Sequence, residues 1–463
     1  MSVTIRDAMT APELFGGQFS GDTWSAWRAL LAGFYGLPLT DDERPDFLSL
    51  TGRKSVPQSA FDELWLVVGR RGGKSQCAAL LAVFEAAFND YTDRLSPGEV
   101  ATVMILAADR KQARSVFRYI SGLIESNPML AAMVAREDKE SIELTNRTAI
   151  EVHTASFRAT RGYTVACCIA DEIAFWRSED SANPDFEILN AIRPAMATLE
   201  GKLIALSSPY SKRGALWDTY RRYFGLHDNS VLVAQAPSKV MNPSLPQRVI
   251  DQAFTRDPEA AKAEYGAQFR SDLEAFINRE VVEGVTRSDP LELPYNSRHR
   301  YFAFADPAGG GQDEYTMSIG HREDSRVIVD LVRAQKGVPS EITAEYAALM
   351  KAYGIRQAHS DKYAGSWPAD EFAKHGITIE YSPKPRSELY LDALPALTSG
   401  RVELPPDDRL ITQFSGLERK TSRAGRDSVN HPPGAHDDRA NAAAGVIALN
   451  AHGSQIWDYS KLL

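Results

Sequence analysis

Cysteine is nearly missing from this sequence: Cys77, Cys167 and Cys168 are the only three in 463 residues. Two of them are adjacent and the third falls inside a helical pattern. That spacing excludes a zinc site and a disulfide framework, and all three read as reduced core thiols. Long apolar runs are lacking as well. No stretch approaches the ~18 residues of a membrane span, and the first fifteen residues lack the basic-then-apolar order of an export leader. The expectation is a cytoplasmic protein with no membrane partner. A basic surplus is also missing. The 52 lysines and arginines stand against 61 acids, a net charge of −9, which excludes a uniformly basic nucleic-acid coat while leaving room for a local basic patch. There is no internal repeat and no low-complexity tract. What remains is an ordinary globular composition, 43% hydrophobic, long enough for two or three domains.

Against that background one stretch stands out, Leu64-Trp-Leu-Val-Val-Gly-Arg-Arg-Gly-Gly-Lys-Ser75. Leu64 to Val68 reads as a buried strand, Gly69 to Ser75 as a turn, and Gln76 to Phe88 as a helix. Strand, glycine turn, Lys-Ser and helix make the context of a phosphate-binding loop. In that reading Gly69, Arg70, Arg71, Gly72, Gly73, Lys74 and Ser75 surround the phosphates of ATP. Lys74 reaches the outer phosphates and the Ser75 hydroxyl holds Mg²⁺. The usual loop has a glycine six residues before the lysine. Val68 stands there and Gly69 comes one residue late, which predicts a tighter loop.

Alternating strands and helices follow: strands at 100–107, 165–170 and 202–207, a helix at 111–126, and a hairpin over 142–153 about Asn146 and Arg147. This alternation predicts a parallel sheet covered on both faces. The third strand runs into Asp171-Glu172. Paired acids at the end of a buried strand are costly without a task. Downstream of a phosphate loop the task is for Asp171 to hold Mg²⁺ and for Glu172 to orient or deprotonate the attacking water. Ser207-Ser208-Pro209, ending the fourth strand, is either a turn or a sensor of the γ-phosphate. Upstream, Trp24 to Tyr35 reads as an amphipathic helix and 41–53 as a polar loop. Trp24, Trp27 and Phe34 read as core at helical spacing, with stacking on a nucleotide base as the alternative.

Composition shifts at Ala236-Pro237. Three prolines and two short helices (247–256 and 259–269) read as a linker. A second alternation begins near Ser297, with three adjacent strands (301–305, 315–322, 327–335). A helix (339–353), a strand (357–360), a helix (367–375), a strand (378–381), a helix (387–397) and an alanine-rich helix (437–451) follow. This is the element order of a ribonuclease H-like fold. Its strand-end and helix-start positions hold Asp306, Asp361 and the pair Asp437-Asp438, a carboxylate set suited to two-metal phosphodiester hydrolysis. Asp313, after a glycine loop, is a further acid near that set. The basic stretch Arg419, Lys420, Arg423, Arg426 reads as a solvated loop, with phosphate tracking as the alternative. The chain is thus expected to be α/β, with a P-loop NTPase domain on a parallel-type sheet over 1–236 (1–60 a helical extension). A linker with a small helical element follows over 237–296, and a ribonuclease H-like nuclease domain over 297–463.

With both halves in this order, the chain from about Trp24 resembles the large terminase subunit of tailed bacteriophages or prophages. The resemblance implies an ATPase that translocates double-stranded DNA into a procapsid, and a metal-dependent endonuclease that cuts concatemers. It implies ATP, Mg²⁺ (Mn²⁺ substituting in the nuclease site), a small terminase subunit, the portal protein and a homo-oligomeric ring in the host cytoplasm. Arg70 matches an arginine that acts on the γ-phosphate, Asp171 and Glu172 the metal ligand and catalytic glutamate, and Ser207 to Pro209 the coupling motif. Asn242 to Leu245, Glu264-Tyr265 and Phe269 match the interdomain region. Asp306, Asp361 and Asp438 match the three nuclease ligands, Asp438 being preferred to Asp437 because it lies four residues before Ala442. The usual Asp-Asp-x-x-Asp-Ala reads Asp437-Asp-Arg-Ala-Asn441-Ala442, so Asn441 departs from it. A P-loop nuclease of DNA defence or repair has the same catalytic residues, and a DNA-binding adaptor with decayed sites is a third reading.

Overall fold

The computed structural model describes residues 3–156, 162–176, 184–227, 230–307, 314–361, 367–421 and 426–451. Asp313 and Arg423 lie outside these residues. The described residues divide into two compact units, the first ending at Ser271 and the second beginning at Asp272.

The first unit is built on strands β1 (Glu63–Val68), β2 (Ala101–Ala107), β3 (Val134–Glu137), β4 (Ser141–Leu144), β5 (Thr148–Thr154), β6 (Thr164–Asp171), β7 (Lys202–Ser207) and β8 (Val231–Ala236). They form one sheet in the order β3-β4-β5-β2-β6-β7-β1-β8. From β5 to β8 every pairing is parallel, whereas β3 and β4 add an antiparallel edge. The two residue faces of β1 explain its unbroken apolar run. Leu64, Leu66 and Val68 join one core with the helices Ser25–Phe34 and Lys74–Phe88. Trp65 and Val67 join a second core with Ile188, Leu189, Ile192 and Leu216. A parallel strand covered on both faces has no polar side to alternate with. Cys77, Cys167 and Cys168 are free thiols buried in these cores.

Two expectations change here. The segment 41–53, read as loop, contains the helix Glu43–Thr51. Only Phe47 and Leu50 of its apolar residues reach the core, too few for a periodic pattern. The helix docks because Gly33 on the facing helix leaves space: a Cβ there would meet the Phe47 ring at 2.2 Å. The segment 237–296, read as a linker, is shared between the units. Helices Ser238–Met241, Gln247–Arg256 and Pro258–Glu264 belong to the first.

The second unit contains β9 (Leu273–Ala275), β10 (Tyr301–Asp306), β11 (Tyr315–Glu323), β12 (Arg326–Gln335), β13 (Gln357–Ser360), β14 (Thr378–Tyr381), β15 (Val402–Glu403), β16 (Glu418–Thr421) and β17 (Asp427–Asn430). Its main sheet has the order β14-β13-β10-β11-β12-β15. An antiparallel meander, β10 to β12, is flanked by parallel β13 and β14 on one side and β15 on the other. This mixed sheet follows the order of strands and helices expected for this half of the chain. Phe304 faces a core shared with the helices Arg386–Thr398 and Asp438–Ala451, while Ala303 and Ala305 face the helix Pro339–Ala352. The basic stretch is not an open loop at its start. Arg419 and Lys420 lie in β16 of a small sheet, β17-β16-β9, where Arg419 pairs with Asp427. Among the described residues no helix is long and apolar enough to cross a membrane.

Candidate active sites

The first site forms where β1, β6 and β7 end side by side. β1 runs through Val68, so the position of the missing glycine is the last residue of the strand and the turn begins at Gly69. The tight turn needs glycine at two places. A Cβ on Gly69 would lie 2.3 Å from Ser238 Oγ, and Gly73 has a left-handed φ of 94°. Arg71 is also left-handed, at φ 64°. Neighbouring segments hold this loop. Trp27 Nε1 donates to Gly72 O (2.9 Å), Ser238 Oγ to Arg70 O (2.6 Å) and Asn242 Nδ2 to Arg71 O (2.9 Å), and the Arg70 amide donates to Glu264 O. Trp27 and Phe34 are buried in the core, and Trp24 lies against Gly73, so the two tryptophans back the loop. The helix Lys74–Phe88 starts at Gly73 without a side-chain cap, leaving its first amides available to an anion.

Lys74 is 6% exposed. Its Nζ donates to Val68 O (3.0 Å) and Ser208 Oγ (2.8 Å) and lies 3.4 Å from Glu172 Oε1. The other Glu172 oxygen accepts from Ser207 Oγ (3.0 Å) and the Ser208 amide (3.1 Å). Ser207 and Ser208 are thus more than a turn: they tie the lysine to the glutamate. Glu172 itself is left-handed, φ 49°, a strained conformation of the kind that clusters at functional sites. Asp171 is buried, and its Oδ1 has no hydrogen-bond partner. Burial first, then the Glu172 charge, push its carboxyl up to about 7, against the pull of Lys74. A buried, unpartnered carboxylate oxygen beside a lysine and a free helix start fits a divalent cation with phosphates. Arg70 is not in this cluster. Its guanidinium is largely exposed and pairs with Glu264 (3.1 Å).

The second site forms at the ends of β10 and β13. Their register pairs Ala305 with Ser360, so one step further places Asp306 beside Asp361. Across the sheet Asp306 pairs with Thr316, whose Oγ1 donates to Asp438 O (2.8 Å). The Glu314 amide donates to Asp438 Oδ2 (3.1 Å), and Gln413 Oε1 accepts from the amides of Arg439 and Ala440. Burial, then repulsion from Asp438, Asp361 and Asp437, raise Asp306 to about 8 although an Asn441 hydrogen bond opposes them. Asp437 is committed elsewhere. Arg386 donates to its Oδ1 (2.9 Å) and Tyr390 to its Oδ2 (2.8 Å), which makes it an anchor and leaves Asp438 as the acid at this helix start. Among the described residues, no three carboxylate, imidazole or thiolate groups gather at metal-holding spacing. Asp306 Oδ2 accepts from the neutral amide of Asn441 (2.8 Å). Thr316 and Gln413 went unread in the sequence. The register of β10 with β11 points to Thr316, whereas nothing local marks Gln413.

Residues 51–267 match the family model described as "Uncharacterized protein MJ0330, N-terminal P-loop domain". A comparison with curated protein sequences finds no match. Among solved structures, the large terminase of bacteriophage HK97 aligns with 92% of this chain and 99% of its own, at 17% identity and TM-score 0.39. A large terminase from a thermophilic bacteriophage aligns with 87% of this chain and 97% of its own, at 14% identity and TM-score 0.38. The large terminase nuclease of thermophilic phage G20c aligns with 38% of this chain and 100% of its own, at 20% and 0.32. At such distances the chemistry rests on the side chains themselves. The structural neighbours over most of the chain are phage large terminases, and the family model places a P-loop domain in the first unit.

Proposed function

We propose that this chain is a viral DNA-packaging motor subunit, hydrolysing ATP to translocate double-stranded DNA and cutting concatemers with its second unit. The observation that carries the reading is the Lys74–Glu172–Ser208 network beside the unpartnered oxygen of Asp171. Lys74 releases its loop carbonyls to meet the β- and γ-phosphates of ATP, and the amides at the start of its helix take the remaining charge. Mg²⁺, when bound, neutralises those phosphates, and Ser75 with Asp171 would hold it. Glu172 orients water and accepts its proton, and Ser207 and Ser208 keep the carboxylate aimed. Arg70 acts on the γ-phosphate after leaving Glu264.

In the second unit Asp306, Asp361 and Asp438 would hold Mg²⁺ or Mn²⁺, which supplies Lewis acidity for phosphodiester hydrolysis. Thr316 and the Glu314 amide fix Asp438 for that role, and Asp437 anchors the helix start through Arg386 and Tyr390. The partners of this reading are duplex DNA, a small terminase subunit, a portal-bearing procapsid and further copies of the chain in a ring.

The test separates the activities. Glu172→Gln should bind ATP and fail to hydrolyse it, while Asp361→Asn should hydrolyse ATP and fail to cut plasmid DNA with Mn²⁺. Portal-bearing procapsids should stimulate the wild-type ATPase. Wild-type turnover in Glu172→Gln would overturn the hydrolytic assignment, cleavage by Asp361→Asn the nuclease assignment, and indifference to procapsids the packaging role.

A further inference from the structure

Asn441 lies one helical turn beyond Asp437 and Asp438, and it is fully buried. Its backbone amide donates to Asp437 O, so the helix geometry fixes it over the acids. Nδ2 donates to Asp306 Oδ2 at 2.8 Å. Its own oxygen, Oδ1, is buried with no hydrogen-bond partner. In this orientation Nδ2 faces the Asp306 carboxyl and Oδ1 is turned away from it. A buried amide oxygen left without a donor is a destabilising feature, one that a buried apolar residue at the same place would not carry.

We propose that Asn441 is a neutral member of a divalent-cation site. Its Nδ2 holds one oxygen of Asp306 and orients the other, and its Oδ1 is presented to the cation or to the cation's hydration water. This rests on the proposed cation-binding role of Asp306, Asp361 and Asp438. The donor set is entirely hard oxygen, which selects Mg²⁺ or Mn²⁺ over softer metals. A neutral amide at this place also limits repulsion in the metal-free state. Asp306 ends its strand beside Asp361 and pairs with Thr316, which holds Asp438, and a further carboxylate at 441 would meet it at hydrogen-bond range.

The experiment is Mn²⁺ titration of the full-length protein by calorimetry, with thermal unfolding in EDTA and in Mn²⁺ as the second readout. Asn441→Ala should weaken Mn²⁺ binding about tenfold, the scale at which groups supporting metal ligands act. Asn441→Asp should lower the metal-free Tm and restore or tighten Mn²⁺ binding, giving a larger Mn²⁺-induced rise in Tm than wild type. A merely packed asparagine would lower Tm in both variants and leave Mn²⁺ affinity within about twofold of wild type, well short of that scale, and that result overturns the proposal. Failure of the wild type to bind Mn²⁺ would overturn the cation reading of the acids as well. Loss of binding in Asp361→Asn alone, with both Asn441 variants normal, would keep that reading and remove Asn441 from the site.

Discussion

The two candidate sites solve opposite electrostatic problems. The site of the first unit contains its own cation. Lys74 lies among Val68 O, Ser208 Oγ and Glu172, so most of its polar groups are satisfied before any ligand arrives. The site of the second unit contains acids and, at Asp306, an amide to answer them; the cation beside it, Arg386, is spent on Asp437. The first network is closed and the second is open. A closed network breaks when a member is removed, whereas an open one changes most with the ions around it.

The largest effect should come from opening the closed network. Lys74→Ala removes the one cation that Glu172, Ser208 and the loop carbonyls share, as well as a phosphate contact. ATP turnover should fall at least ~10²-fold, the scale for losing one preorganised charged donor. Lys74→Arg should fare little better, because a planar guanidinium does not fit a pocket shaped for a point charge. Steady-state ATP hydrolysis checks both, and a Lys74→Arg enzyme near wild-type rate would mean that the carbonyl cage is not selective.

A smaller effect should follow from changing ions at the open site. The Asp306 carboxyl is raised to about 8 in the metal-free fold, by burial first and neighbouring acids second, and the unfolded value is near 3.8. The folded protein therefore holds this proton more tightly than the unfolded chain. That favourable contribution is complete below about pH 4 and is lost as pH rises through about 8. Metal-free stability should decline across that window, Asp306→Asn should flatten the decline, and Mg²⁺ should remove it. Thermal unfolding in EDTA from about pH 5 to about pH 9, with and without the substitution, tests the sign; a metal-free stability rising over that range would contradict it.

What was legible in the sequence divides along the same line. The strands β1, β6 and β7 are readable because a buried strand is a short apolar run, and Asp171 is readable because it interrupts one. The helix Glu43–Thr51 is hidden because its partner surface, the gap left by Gly33, lies on another element. The partners of the acids are equally invisible, since spacing tells which acids share an end of the sheet and not which side chains meet them, as Arg386 and Tyr390 meet Asp437. Asn441 shows the limit well. Its departure from the expected acid is plain in the sequence, but its bond to Asp306 and its orphan oxygen exist only in three dimensions.

The smallest effects should come from a matched pair of single hydrogen bonds, one holding the backbone of each site. Trp27→Phe removes the donor to Gly72 O in the phosphate loop, and Thr316→Val removes the donor to Asp438 O at the helix start. Each substitution keeps a buried side chain of related shape, so each should cost about 1 kcal/mol of stability. The consequences should stay within the unit that carries the change. In Trp27→Phe the loop is still gripped by Ser238, Asn242 and Glu264, so KM for ATP should rise a few-fold with kcat nearly constant. In Thr316→Val the Glu314 amide and Gln413 still hold the helix start, so Mn²⁺-dependent cleavage should slow a few-fold with ATP hydrolysis unchanged. Measuring both activities in both variants makes the comparison a cycle. If Thr316→Val altered ATP hydrolysis as much as cleavage, the two networks would have to be treated as one.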